Sequence, residues 1–378
     1  MVRPGTESRG RLAHAAAAAC GVTRLGDITH LDCLGVPVFQ AVRPWSRALS
    51  VHQGKGLTPP EAELGALMEA VESAHAEAFD GELRWAAWAD LPVHERAPRL
   101  DDFARRRGAA PADDEVLAWT PARKILDGGV LWAPFDAVSL DFSRRVDSRL
   151  SQTSNGQAAH FEREAATVSA LLELIERDAV AAWFDGSPTS RSRTIVARGS
   201  IPYGWWQELQ ATIDGAGLRL TLHELPAVGG YPTFLTELKG APGEARGPIV
   251  FYGSACALSA ERALKGSVLE AVQSRVTEIA GARDDILYRA PGRDVGMGLA
   301  WPAPPGMPLR RWADILARIQ GRDPSGAVDI ARRLADAGYP QVAVIELSGP
   351  GADVVVIKAF VPGLGANRRL RRRPEPPR

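Results

Sequence analysis

Cysteine is scarce and unpatterned in this sequence: Cys20, Cys33 and Cys256 are odd in number, far apart, and outside any Cys-x-x-Cys or Cys/His cluster. That excludes a disulfide framework and a structural zinc site, and it points to a reducing, cytoplasmic setting. An excess of charge of one sign is missing too. Lys and Arg total 45 and Asp and Glu total 45, so the formal net charge is zero. A field that draws nucleic acid over the whole surface is thereby excluded, and no nucleic-acid partner is expected. Long apolar runs are absent: residues 15–20 are too few and too rich in alanine for a signal peptide or a membrane span, so no membrane partner is expected. No Gly-x-x-x-x-Gly-Lys-Ser/Thr loop occurs, and neither does a kinase-type Gly-rich loop or a His-Arg-Asp segment. Walker-type nucleotide sites and the kinase layout are set aside on that ground.

What is there is a chain long enough to bury a sizeable core as one large domain or two smaller ones. Residues 1–20 read as a loose lead-in ending in a short helix, 21–365 as the folded domain, and 366–378 as a basic, Pro-containing tail. Strand-like runs at 36–42 and 48–51 close on Gly54-Lys55-Gly56, a turn or phosphate-loop candidate. Helices are expected from 59 to 79, 162 to 184 and 260 to 279, with strands at 218–224 and 248–253 between the last two. The end reads as helix 326–337, strand 341–347 and strand 353–361. Interleaved helices and strands give a class of α/β or α+β.

An internal repeat is the strongest signal. Gly65-Ala66-Leu67-Met68-Glu69-Ala70-Val71-Glu72, Ser169-Ala170-Leu171-Leu172-Glu173-Leu174-Ile175-Glu176 and Gly266-Ser267-Val268-Leu269-Glu270-Ala271-Val272-Gln273 align without gaps. At about 100° per residue, Leu64, Leu67, Met68, Val71 and His75 form one stripe, with Gly65, Glu69 and Glu72 on its border. The second copy repeats the layout, with Val168, Leu171, Leu172, Ile175 and Ala179 packing and Ser169, Glu173 and Glu176 on the border. Carboxylates at the edge of a buried face need a partner. If four of them converge, they repel one another unless a cation intervenes, and Mg²⁺ prefers carboxylate and phosphate oxygens. The alternative is solvated glutamates on ordinary amphipathic helices.

The second copy is preceded by Ser154-Asn155-Gly156 and runs on through Arg177-Asp178-Ala179. Gly21-Val22-Thr23-Arg24 with Gly35-Val36-Pro37-Val38 stands near the start, and Gln273-Ser274-Arg275 is followed by Gly281-Ala282-Arg283-Asp284-Asp285. Together these pieces resemble the signature of the YcaO family, in that family's order, over about residues 21–365. The resemblance implies a YcaO-like fold in which β-sheets are flanked by helices carrying the repeated Glu-x-x-Glu motif. It also implies ATP and Mg²⁺ bound between such helices. Glu69, Glu72, Glu173 and Glu176 would hold Mg²⁺ and Arg177 would meet a phosphate, as would Arg275. Lys55, Ser154, Asn155, Gln273 and Arg283 would complete the cofactor-binding set. Gly65 stands where the family commonly has Ser, and Phe161 and Ala165 stand where it has Asn and Glu. Glu162, Glu164 or His160 could take over after a one-residue shift.

The activity so implied is ATP-dependent activation of backbone amides in a ribosomally made precursor peptide. A nucleophile adds to the carbonyl, the oxyanion is phosphorylated, and phosphate leaves with the former amide oxygen. A Cys, Ser or Thr side chain gives an azoline, sulfide a thioamide, and an amine an amidine. Pro374 and Pro376 only partly match the Pro-x-Pro-x-Pro end of azoline-forming members, since Arg378 is last. With the opening and the Gly281 segment, that favours thioamide formation beside a TfuA-like partner over a ThiF-like one. A catalytically degenerate scaffold that binds peptide or partner is the competing reading. The oligomeric state, a homodimer included, is left open.

Overall fold

The computed structural model describes residues 6–103, 111–144, 149–150, 152–240, 250–283, 307–319 and 326–364. The tail with Pro374, Pro376 and Arg378, and Asp284 and Asp285, lie outside them. Chain order is α1 (Thr6–Ala19), β1 (Arg24–Asp27), β2 (Val38–Val42), β3 (Val51–Lys55), α2 (Pro59–Glu77), β4 (Arg84–Ala87), β5 (Val116–Lys124), β6 (Val130–Pro134), α3 (Phe135–Val138), β7 (Gln157–His160), α4 (Arg163–Phe184), α5 (Pro188–Ser192) and α6 (Gly204–Gly215). Then come β8 (Arg219–Glu224), β9 (Thr233–Lys239), β10 (Val250–Cys256), α7 (Ala260–Ala280), α8 (Trp312–Ile319), α9 (Ala327–Asp336), β11 (Ala343–Glu346) and β12 (Val355–Phe360). The fold is mixed α/β. Among the described residues no helix is long and apolar enough to cross a membrane.

Two three-stranded sheets, ordered β1-β2-β3 and β10-β9-β8, flank a larger one ordered β4-β5-β11-β12-β7, with β6 paired to β5. All of these named strand pairs are antiparallel. One apolar core holds Leu67, Val71, Trp119 and Val356. A second surrounds Trp206, Phe234, Val268 and Trp312, and a third packs α4 and α9 on the large sheet through Leu171, Ile175, Ile330 and Leu334.

The three repeat copies fall on α2, α4 and α7, and each helix follows a strand. Local chemistry explains their ends: Pro59 and Pro60 open α2, where a missing N–H costs nothing. Ser259 caps α7, accepting from Arg262 N at 3.4 Å, and Gly281 closes it at φ 60°.

Three expectations are corrected. Residues 6–19 are a helix of 14 residues, not a loose lead-in; its alanines Ala13 and Ala17 are buried in the first core, and it packs on α2. Gly54 and Lys55 lie within β3, not in a turn. A Cβ on Gly54 would stand 2.0 Å from Ala62 O and 2.1 Å from Ala66 N, so that glycine serves a close strand–helix crossing. The α2 stripe holds, with Leu67 and Val71 in the first core and Leu64 and Met68 packed against it, and a separate face carrying Ala62, Ala66 and Ala70 is buried too. Ser169 is exposed, so it does not border the α4 face as Gly65 does on α2.

Gly253 repeats the device on β10, where a Cβ would meet Ala271 N at 2.1 Å and Ser267 O at 2.2 Å. Gly54→Ala and Gly253→Ala are each expected to lose about 1–3 kcal/mol or more in urea unfolding, because backbone must move to admit the methyl group. Gly10→Ala, whose Cβ meets nothing within 4 Å, is the control. Wild-type stability in both strand variants would contradict the crossing geometry.

Candidate active site

The acidic edges of α2 and α4 are seated on strand backbone. Glu69 Oε2 accepts from Gln53 N of β3 at 3.0 Å. Glu173 Oε2 accepts from Gly156 N, just before β7, at 3.0 Å. Glu176 accepts from Ser254 Oγ at 2.7 Å and from Cys256 N at 3.2 Å, both on β10. The amide of Ala159 on β7 is directed at Glu72. Each helix therefore engages its own strand and the next one along, which holds the three strand–helix units around one cleft. Gly156 is required at the seam: its φ is 77°, and a Cβ would lie 2.8 Å from Ala359 O and 2.9 Å from Leu174 Cδ2.

Electrostatics show the same convergence. Burial, followed by the charges of Glu173 and Glu69, pushes the Glu72 carboxyl up to about 8. Burial raises Glu176 to about 7; Arg177 opposes the rise, and Glu270 and Glu173 add to it. Glu69 is raised as well, by burial above all, against the Gln53 amide, Lys55 and Arg283. The cations are distributed among them. Arg177 reaches Glu173 Oε1 at 3.1 Å and Glu176 Oε1 at 3.3 Å. Burial works against its charge, but Glu176, Glu173 and Glu270 more than offset that and move its pKa up. Lys55 Nζ lies 3.6 Å from Glu270 Oε2. Lys358 is buried beside Glu173 and Glu72, and burial lowers it to about 8 against their pull.

These acids are raised by burial first and by one another second, so their ionised forms gain from a cation. A hard divalent cation fits such a cleft. Among the described residues no three His, Cys, Asp or Glu side chains form a ready-made shell. Mg²⁺ in general keeps several waters and is held by one or two carboxylates together with phosphate oxygens.

The other expected residues divide into two groups. Lys55, Asn155, Arg177 and Arg283 border the cleft or its neighbouring cavity. Gln273 is half-buried on the α7 face that also carries Glu270 and Thr277, and Thr277 Oγ1 donates to Gln53 Oε1. Ser154 is exposed, and its carbonyl accepts from Gln157 N at 2.9 Å in the turn before β7. Arg275 is turned about 140° round α7 from Glu270. It is committed to Asp32, at 3.1 Å from Nε to Oδ1, over the ring of Phe251. Gly65 has little space, since a Cβ would be 3.2 Å from Gly54 Cα.

Phe161 packs on the first core with Arg9 over its ring at 5.8 Å. Glu162, Glu164 and His160 do not compensate. Glu164 Oε1 accepts from Ala327 N at 2.7 Å at the start of α9, Glu162 faces Arg9 at 3.8 Å, and His160 Nδ1 accepts from Glu162 N at 3.3 Å. Sequence reading missed Glu270 and Lys358 as site residues. Glu270 is the acid of the third repeat copy, and Lys358 is the one charge in the apolar run 354–361; either fact could have flagged them.

A family model described as YcaO cyclodehydratase, ATP- and Mg²⁺-binding, matches residues 53–365. An uncharacterized protein in the tfuA 3′ region of Rhizobium leguminosarum bv. trifolii is 32% identical over 358 residues, covering 91% of this chain and 84% of the relative. An uncharacterized protein of Methanothermobacter thermautotrophicus is 28% identical, covering 91% of this chain and 90% of the relative. In fold the chain is similar to YcaO from Methanopyrus kandleri bound with AMPPCP and Mg²⁺, with a TM-score of 0.73 at 21% identity, covering 99% of this chain and 96% of that one. It is also similar to a heterocyclase in complex with substrate and cofactor, with a TM-score of 0.69 at 21% identity. That match covers 96% of this chain but spans only 53% of the longer heterocyclase.

The raised carboxyls set a pH dependence for the ligand-free protein. The folded state keeps protons on Glu72 and Glu176 that an unfolded chain releases near 4.5. Their stabilising contribution is therefore full below pH 4.5 and is lost as pH rises through about 7 to 8. Lys358, lowered from 10.5 to about 8, acts in the window above: its contribution is present above 10.5 and is lost as pH falls through 8. Glu72→Gln should match the wild-type melting temperature at pH 5 and exceed it at pH 8.5. A difference independent of pH would contradict the burial of that carboxyl among its neighbours.

Proposed function

The chain belongs to the YcaO family, and from that premise we propose that it is an ATP-dependent enzyme activating backbone amides of a ribosomally made precursor peptide. The observation that carries this reading is the convergence of carboxylates in the cleft, with Glu72 and Glu176 raised to about 8 and 7 by burial and by their acidic neighbours. Glu69, Glu72, Glu173 and Glu176 would hold Mg²⁺, joined by Glu270. Arg177 and Lys55 would meet phosphate oxygens, and Asn155, Gln273 and Arg283 would line the polar rim. Bound Mg²⁺·ATP supplies the phosphoryl group that turns the amide oxygen into a leaving group. The chain's own work is orientation and charge placement, through side chains locked on strand amides before any ligand arrives.

Among the products, thioamide formation with a sulfur donor is the one proposed. The relative in the tfuA 3′ region supports a TfuA-like partner, and 32% identity over most of both chains makes that context pertinent here. The net change is exchange of the amide oxygen for sulfur, with ATP converted to ADP and phosphate. Free Cys20, Cys33 and Cys256 accord with work in the cytoplasm. A second reading, a scaffold that binds peptide without catalysis, is favoured by one observation: Phe161 and Ala165 offer no carboxylate, and Glu162, Glu164 and His160 are engaged elsewhere.

Calorimetry separates the two. The enzyme reading predicts saturable ATP binding that requires Mg²⁺ and weakens at least about tenfold in Glu173→Gln. Folded protein with no binding in either condition leaves only the scaffold. Mass spectrometry of a precursor peptide co-expressed with this chain and a TfuA-like protein then tests the product. Thioamide formation raises the peptide mass by the difference between sulfur and oxygen, whereas loss of water would replace this assignment with an azoline.

A further inference from the structure

We propose that the cavity beside the acidic cleft seats the reacting peptide group itself, with Asn155, Arg177 and Lys358 around its carbonyl oxygen and an apolar wall for the adjoining side chain. This rests on the amide-activating reading above and assigns the part of the site that takes the peptide.

The cavity, of about 60 Å³, lies between the turn before β7, α4 and the end of β12. Asn155, Arg177 and Lys358 line its polar part, and Phe103, Phe360 and Leu364 its apolar part. Lys358 is only 1% exposed, inside a strand run that is otherwise apolar. Burying an ammonium is costly, and an apolar side chain of similar length would hold β12 at least as well. Strand stability therefore does not account for it. Its Nζ donates to Thr153 O at 2.5 Å, which fixes the ammonium against the turn carrying Asn155.

Nearby polar groups lack partners. Arg177 Nε is buried without a hydrogen-bond partner. Gln157, directly across the ladder from Lys358 and 4% exposed, has neither its amide nitrogen nor its amide oxygen bonded. Gln157 lies outside the cavity lining, but the unmatched Arg177 Nε belongs to a residue that lines it and leaves a donor for a ligand oxygen. A peptide carbonyl fits best: it is neutral on entry and gains one negative charge only when a nucleophile adds to its carbon and the π pair moves to oxygen. Fixed cations stabilise that developing charge more than they stabilise the ground state. The cavity has room for waters or for a peptide group. Arg177 borders both spaces, so the oxygen would come within reach of phosphate held in the cleft.

The probe is N-acetyl-leucine N-methylamide, a single peptide group with an apolar side chain, titrated into the full-length protein and observed by saturation-transfer NMR. Binding is expected, weakened at least fivefold in Lys358→Met and in Leu364→Trp, which fills the apolar wall. In both variants the loss of probe binding should exceed any change in affinity for Mg²⁺·AMPPCP. If Lys358→Met fails to fold, Leu364→Trp and Asn155→Ala decide. No probe binding to wild type, binding unaffected in the folded variants, or displacement of the probe by AMPPCP would each overturn the assignment. Failure of the wild type to bind Mg²⁺·AMPPCP is a separate result, and it removes the amide-activating reading rather than the cavity alone.

Discussion

Carboxylates drawn together in a poorly solvated place repel one another, and this structure contains such a place by construction. Glu69, Glu72, Glu173, Glu176 and Glu270 come from three helices whose packing brings their edges to one cleft. Lys55, Arg177 and Lys358 offset part of the charge, yet burial and acidic neighbours still raise Glu72 to about 8 and Glu176 to about 7. The remaining carboxylate charge is what divalent cations would satisfy. The fold maintains the crowding through backbone: the strand amides of Gln53 and Cys256 and the turn amide of Gly156 fix carboxylate oxygens, which holds the acids at the cleft. Close crossings at Gly54, Gly156 and Gly253 make that reach geometrically available.

Much of this was legible in the sequence. The spacing of apolar residues located α2, α4 and α7 to within a residue or two, because long amphipathic helices carry many concordant positions. The repeat also identified which helices matter, since each copy places its acids at the same edge. What could not be read were features decided by partners distant in the chain. Gly54-Lys55-Gly56 has the composition of a turn, and only the approach of α2 shows that Gly54 belongs to a strand. The alanine face of α2 and the helix over residues 6–19 escaped because alanine contributes little to an apolar pattern yet packs closely. Arg275, a reasonable anion contact by motif, is taken by Asp32, more than 200 residues away in sequence.

Departures from the family pattern find local reasons. Phe161 is part of a core and lies under Arg9, and Gly65 sits against β3 where space is short. At Ala165 a carboxylate is missing, and neighbouring acids do not replace it because Glu164 binds the start of α9. The cleft therefore relies on the glutamates of the repeat and on Lys358, a cation whose burial in a strand has no structural need behind it.

The most direct test of that arrangement is a crystal structure of the full chain grown with AMPPCP and Mn²⁺, with the metal located by its anomalous scattering. The account predicts a manganese peak in the cleft between α2 and α4, at about 2.0–2.2 Å from oxygens of the repeat glutamates and of the triphosphate. A nucleotide bound elsewhere, or a cleft whose glutamates touch neither metal nor phosphate, would contradict it.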